Sequence, residues 1–91
     1  MLRLDLERQA EKFLLHLPPK HAGQIARKLA ALLENPEPPD SLKLQGPYSR
    51  FRRADCGEYR IIYRTEDDCL KIYLIGKRND DEVYRLLRRM T

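Results

Sequence analysis

The sequence predicts an α+β fold, an antiparallel sheet of about four strands covered by an N-terminal helical hairpin and followed by a C-terminal helix. Three observations predict it. Apolar residues recur at helical spacing on both sides of Pro18-Pro19, those of residues 48–76 alternate as in strands, and helical spacing returns after Asn79. At 91 residues the chain holds enough apolar side chains for one core, so 1–91 is read as one domain.

Leu2, Leu4 and Leu6 alternate with Arg3 and Asp5, the pattern of a short strand. Ala10, Phe13, Leu14 and Leu17 then share one helical stripe, which Pro18-Pro19 ends. Proline suits the first turn of the next helix. There Ile25, Leu29, Leu32 and Leu33 form a second stripe, with Arg27, Lys28 and Glu34 outside it. Asn35-Pro36-Glu37-Pro38-Pro39-Asp40 breaks the chain into a loop, whose far end Leu42 and Leu44 pin to the core.

The segments 48–54, 57–64 and 69–76 read as strands, the last two joined by the polar turn Thr65-Glu66-Asp67-Asp68. A hairpin symmetric about that turn sets Tyr63 against Leu70, Ile61 against Ile72 and Tyr59 against Leu74, all on one face. The other face carries Glu58, Arg60, Ile62, Lys71 and Tyr73, a mixed surface expected to stand open. For the last helix Asn79 and Glu82 have capping-box spacing, and Asp80 and Asp81 add charge favourable to a helix start. Val83, Leu86, Leu87 and Met90 form its stripe, with Tyr84 on the shoulder.

Charge and composition exclude several classes. No apolar run approaches the roughly 18 residues of a membrane span. The N-terminus has no signal-peptide pattern, so the cytoplasm is the expected compartment. Cys56 and Cys69 lack metal-type spacing and do not face each other in the proposed register, so neither a disulfide nor a metal site is expected. There is no phosphate-binding glycine loop and no Ser-His-Asp set. His16 and His21, near helix ends, read as surface or capping residues.

What remains is arginine and tyrosine. The basic excess is concentrated in 48–78, where Arg50, Arg52, Arg53, Arg60 and Arg78 fall on or beside strands and Tyr84 follows on the helix. Arginine forks onto phosphate, and an aromatic ring can stack a splayed base, so the set fits single-stranded RNA and stabilisation of a charged phosphorane. The same residues also fit a sheet surface whose arginines pair with Asp55, Glu58 and Asp80.

The runs Arg53-Ala54-Asp55-Cys56-Gly57-Glu58-Tyr59-Arg60-Ile61-Ile62-Tyr63 and Gly76-Lys77-Arg78-Asn79-Asp80-Asp81-Glu82-Val83-Tyr84 resemble the RelE branch of the RelE/ParE toxins of toxin–antitoxin systems. Leu33-Glu34-Asn35-Pro36 and Lys43-Leu44-Gln45-Gly46 extend the likeness over nearly the whole chain. The resemblance implies a microbial-ribonuclease-like fold that cleaves mRNA in the ribosomal A site by 2′-hydroxyl attack, without metal or cofactor. It implies that Arg60 contacts the scissile phosphate, that Arg78 acts as acid or stabiliser of the leaving oxygen, and that Tyr84 stacks on the substrate.

Arg50 and Arg52 fall where RelE toxins carry lysines, one of them assigned as base, so Arg52 joins the catalytic set. Arg50, Arg53, Lys77 and Lys43 are expected to bind RNA. Arginine is a poor proton acceptor, which leaves Glu58 as a possible base. The implied partners are mRNA, the ribosome and an acidic antitoxin that folds on binding, with promoter DNA reached only through the antitoxin. A ParE-like inhibitor of DNA gyrase and an inactive co-repressor are the competing readings.

Overall fold

The structure, a computed structural model, describes residues 1–90, the side chain of Asp80 excepted. The elements are β1 (Arg3–Leu6), α1 (Arg8–Leu15), α2 (Pro19–Glu34), β2 (Ser41–Lys43), β3 (Arg52–Cys56), β4 (Tyr59–Glu66), β5 (Cys69–Lys77) and α3 (Glu82–Met90). Short 3₁₀ turns occupy Gly46–Tyr48 and Arg78–Asp80. The α+β class is as expected, but the sheet has five strands in the order β1-β5-β4-β3-β2, and β1 runs parallel to β5. The additional strand is β2, which pairs with β3 through Ser41–Ala54 and Lys43–Arg52. Only three residues long, it is too short for alternation to reveal it.

The helical hairpin covers one face as its stripes predict. Ala10, Ile25, Leu29 and Leu32 pack on Ala54, Tyr59, Ile61, Tyr63, Leu70, Ile72 and Ile75, with Phe13, Leu14, Leu17 and Leu33 around them. Polar groups in this core are answered. The Tyr63 hydroxyl donates to Pro36 O at 2.7 Å. Where β1 ends, the Gln9 amide bonds both backbone groups of Ile75, at 2.8 and 2.9 Å, and so stands in for a strand.

The β4–β5 register differs from the symmetric expectation. Glu66 pairs with Cys69, leaving Asp67-Asp68 as a two-residue turn. Asp67 enters the left-handed region (φ 57°), which aspartate tolerates better than most residues. Tyr63 therefore faces Ile72 and not Leu70. A bulge follows, since Ile62 pairs with Leu74 while Tyr63 pairs with Ile72, leaving Tyr73 as the extra residue. Beyond it Ile61 faces Ile75 and Tyr59 faces Lys77.

The bulge reverses the facing of everything after it. Leu74, expected beside Ile72, joins Ile62 on the opposite face, and Ile75 takes its place in the first core. That opposite face is not open. Helix α3 lies on it, burying Val83 and Leu87 with Phe51, Ile62 and Leu74 in a second, smaller core. Leu86 packs at its margin and Met90 is half exposed, so the helix stripe is narrower than expected.

Two further boundaries move. The segment 48–51 is turn and approach, with β3 beginning at Arg52. Asn79 lies within a 3₁₀ turn and caps nothing, and α3 begins only after Asp81, at φ 52°. The Asp81 carbonyl takes the first amides, from Tyr84 and Arg85. The reason is a tie to the sheet, because Arg78 N donates to Glu58 O at 2.9 Å and holds the approach in a tight turn. The role expected of Asp80's side chain lies outside the described residues.

Helix α3 is nine residues long, below the roughly 12 residues an isolated helix needs, so packing holds it in place. Gly76 sets how close it comes, as a Cβ there would lie 2.8 Å from Val83 Cγ1. Gly76→Ala should cost about 1–3 kcal/mol through overpacking, and trimming the neighbour in Gly76→Ala/Val83→Ala should return part of that loss. Urea denaturation of the three proteins measures both, and an unchanged midpoint for the single variant would show that α3 is not seated as described.

Candidate functional site

Along β3 the side chains alternate between the two faces. Ala54 and Cys56 enter the helix-side core, so Arg53 and Asp55 project onto the α3 side, across from Ile62 and Arg60. The 3₁₀ turn delivers Arg78 and the first turn of α3 delivers Tyr84 to the same place. The Tyr84 hydroxyl accepts from Arg53 Nη1 at 2.8 Å and from Arg60 Nη1 at 3.2 Å. The Arg60 guanidinium also lies 5.6 Å from the Tyr84 ring centre.

Asp55 is the anion of the cluster. Its Oδ1 accepts from Arg60 Nε at 2.7 Å and its Oδ2 from Arg60 Nη2 at 3.3 Å, while Arg78 Nη1 lies 3.9 Å from Oδ2. The Arg60 side chain is only 13 % exposed, against 38 % for Asp55 and 47 % for Arg78. A charge so enclosed needs a partner. The Arg60 hydrogen bond, aided by the charges of Arg60, Arg78 and Arg53, holds the Asp55 carboxyl below the usual carboxylate range against the opposing effect of burial. The Asp55 bond in turn raises the Arg60 guanidinium above its ordinary value.

Arg60, Arg78 and Tyr84 are thus brought together as the sequence suggested, and Arg53 joins them through the Tyr84 hydroxyl. Arg52 does not join them. Adjacent strand residues point to opposite faces, so Arg52 turns to the helix side, where Nε and Nη2 bond Ser41 Oγ at 3.1 and 2.9 Å and Nη1 lies 3.7 Å from Glu37. Arg50 and Lys43 border a recess beside Arg52, together with Arg64, away from Tyr84. Lys77 pairs with Tyr59 and lines the groove under α1.

Glu58 is exposed in the β3–β4 turn, and its carboxylate forms no hydrogen bond or ion pair among the described residues. Of the anions expected to pair with the arginines, Asp55 does so and Glu58 does not, while the side chain of Asp80 lies outside the described residues. His16 Nδ1 lies 2.7 Å from Lys12 O, closing α1, and His21 Nδ1 lies 2.6 Å from the Tyr59 hydroxyl on the helix side. Cys56 and Cys69 are free thiols. Among the described residues no three His, Cys, Asp or Glu side chains gather to hold a metal, and no helix is long and apolar enough to cross a membrane.

Sequence reasoning passed over Arg64, which lies between Phe51 and Tyr73 at 5.6 and 5.0 Å from their ring centres. It also treated Asp55 as one surface partner among several. The small buried Ala54 beside it, fixing the phase of β3, was the available signal.

Arg60 and Arg78 hold the Asp55 carboxylate while Arg53 and Arg60 meet at the Tyr84 hydroxyl, a cluster of donors suited to an oxyanion. A sequence profile for the family described as the ParE toxin of type II toxin–antitoxin systems, parDE, matches residues 3–82. The chain belongs to the RelE/ParE toxin superfamily. Among solved structures, the toxin resembles an archaeal RelE–RelB complex from Pyrococcus horikoshii OT3, with 29 % identity over 87 % of this chain and 97 % of that one and a TM-score of 0.74. The isolated Escherichia coli RelE toxin matches over 100 % of both chains at 23 % identity and a TM-score of 0.75. YafQ from E. coli BL21(DE3) matches over 86 % of this chain and 94 % of that one, at 19 % identity and 0.67. At those identities the last two establish likeness of fold. No curated protein matches the chain.

Asp55, with its lowered folded-state pKa, contributes stability that is present above its unfolded value near 3.9 and lost as pH falls through the folded value. Asp55→Asn should therefore be less stable than the wild type near neutrality, and the gap should close as pH falls below the unfolded value and the wild-type carboxyl protonates. Denaturation across that range tests it. A gap independent of pH would mean that the charge of Asp55 does not matter to the fold.

Proposed function

We propose that this toxin is an endoribonuclease that cleaves mRNA in the ribosomal A site by 2′-hydroxyl attack on the scissile phosphate, using side chains and no metal or cofactor. The observation that carries the reading is the clustering of Arg53, Arg60, Arg78 and Tyr84, from four separate elements, linked through the Tyr84 hydroxyl and the Asp55 carboxylate. Arg60 and Arg53 would bind the phosphate and stabilise the phosphorane, since donors fixed before the reaction begins lose little by reorganising. Arg78, the most exposed of the three ion-paired groups, would stabilise the departing 5′-oxygen. Tyr84 would orient the nucleotide with its ring and its hydroxyl.

Arg52, turned to the other face, is left out of this set. With Lys43, Arg50 and Arg64 it borders a basic recess suited to neighbouring backbone phosphates, whereas Lys77, in the groove under α1, is left out as well. The chain acts as one toxin domain in the cytoplasm. By analogy with the RelE–RelB complex, its partner is a cognate antitoxin, through which promoter DNA is reached.

Purified toxin added to ribosomes programmed with a defined mRNA should generate 5′-hydroxyl and 2′,3′-cyclic phosphate ends in the A-site codon. Arg60→Ala should slow this about 10²–10³-fold, the usual cost of one transition-state donor. A loss below about threefold would remove Arg60 from the chemistry. The ParE profile match favours a second reading, an inhibitor of DNA gyrase without nuclease activity. Block of supercoiling that survives Tyr84→Ala, with no RNA cut, would establish that reading instead.

A further inference from the structure

We propose that Asp55 is the proton acceptor of the cleavage reaction, exchanging its arginine partners for RNA when the substrate enters; the assignment rests on the nuclease reading above. The cluster has a shortage of bases. Its three arginines stay protonated at any working pH. The Tyr84 hydroxyl oxygen is already taken up by two arginine hydrogen bonds. The side chain of Glu58 touches none of the cluster, and His16 and His21 are engaged elsewhere. Among the described residues Asp55 alone brings a carboxylate into contact with the arginines of the site.

Its geometry suits an exchange. Asp55 receives the Arg60 fork through both oxygens and draws Arg78 to within 3.9 Å, as a phosphate would. In the resting protein the carboxylate thus occupies the arginines that a scissile phosphate needs. When RNA binds, those N–H groups turn to the phosphate, and the released carboxylate is left beside the sugar that the phosphate carries. Its partial exposure gives the 2′-hydroxyl access.

Among the described residues, the charged and titratable groups around Asp55 are Arg60 on β4, Arg53 on its own strand, Arg78 from the 3₁₀ turn, Tyr84 on α3, and Asp40 just before β2. With cations dominant, Asp55 stays ionised throughout the neutral range and is ready to accept. The step balances. An Asp55 oxygen takes the 2′-hydroxyl proton, the 2′-oxygen bonds to phosphorus, and the bond from phosphorus to the 5′-oxygen breaks. The departing oxygen takes a proton from water while Asp55 returns its own to solvent. The products are a 2′,3′-cyclic phosphate and a 5′-hydroxyl.

The test is Asp55→Asn in single-turnover cleavage on programmed ribosomes, paired with affinity for ribosomes carrying an mRNA that is 2′-deoxy at the cut position. Circular dichroism confirms that the variant is folded. Cleavage should fall about 10²–10⁴-fold, the usual share of a positioned base. Affinity should hold or tighten, because an internal competitor for the arginines is gone. Between about pH 6 and pH 8 the wild-type rate should be nearly flat, whereas the residual Asp55→Asn rate should rise about tenfold per unit as hydroxide takes over. Asp55→Glu should restore part of the activity.

Three outcomes overturn the assignment. If the wild type cleaves and Asp55→Asn stays within threefold, the nuclease stands and Asp55 is not its base. If Asp55→Asn loses affinity in proportion to its rate, Asp55 only holds the arginines in place. If folded wild type cuts nothing, the nuclease reading fails and the proton acceptor with it.

Discussion

One extra residue in β5 governs the geometry of this toxin. With Tyr73 bulged out, the successive residues Leu74 and Ile75 are buried on opposite faces of the sheet, each against a different layer of helices. Without the bulge, Leu74 would remain with Ile72 under the helical hairpin, Ile75 would turn towards α3 in its place, and Gly76 would no longer face Val83. A nine-residue helix has little stability of its own, so its seat depends on this close fit. The position of Tyr84 over Arg60 therefore depends on a backbone irregularity at Tyr73, distant in sequence from both side chains. Gly76, facing Val83, lets the helix approach closely enough to use it.

The second layer also explains the electrostatics. Arg60 is largely enclosed because α3 covers it, and the enclosure makes a partner obligatory. Asp55 supplies that partner from directly across the β3–β4 pair. The resulting network holds the Arg60, Arg53 and Tyr84 groups in fixed orientations before any substrate arrives, at the cost of occupying part of their hydrogen-bonding capacity. The donors of the site are therefore oriented by the protein itself. The opposite side of the sheet is different in kind. There Tyr59, Tyr63 and Gln9 spend their polar groups on closing the helix-side core, and Arg52 is absorbed by Ser41 and Glu37.

Much of this was legible in the residue pattern. The helix stripes Ile25/Leu29/Leu32 and Val83/Leu87 are local, repeating features, and each was buried as its periodicity required. Residue type and family resemblance put Arg60 and Tyr84 in one candidate set, but their direct hydrogen bond, between residues 24 apart, was not legible in the spacing. The errors share one origin. The placement of Arg52 in the site, the expectation of an open face, and the Tyr59–Leu74 pairing all depend on which face a strand residue points to. A shift of one position reverses that property. Nothing in Leu70-Lys71-Ile72-Tyr73-Leu74-Ile75 announces that alternation fails at Tyr73, because either phase buries apolar side chains.

By itself, then, the sequence determined the elements that local physics controls: two amphipathic helices broken at Pro18-Pro19, a strand-rich basic segment, and a final helix with its apolar stripe. Turn chemistry and side-chain period act over a few residues and leave a readable trace. Tertiary structure alone decided the parallel pairing of β1, the bulge, the seating of α3 and the choice of Arg53 over Arg52. These depend on which distant surface each side chain meets, and the free energy that selects among them comes from burying both faces of the sheet at once. The same requirement placed Asp55 among the arginines, where its carboxylate became the centre of the site.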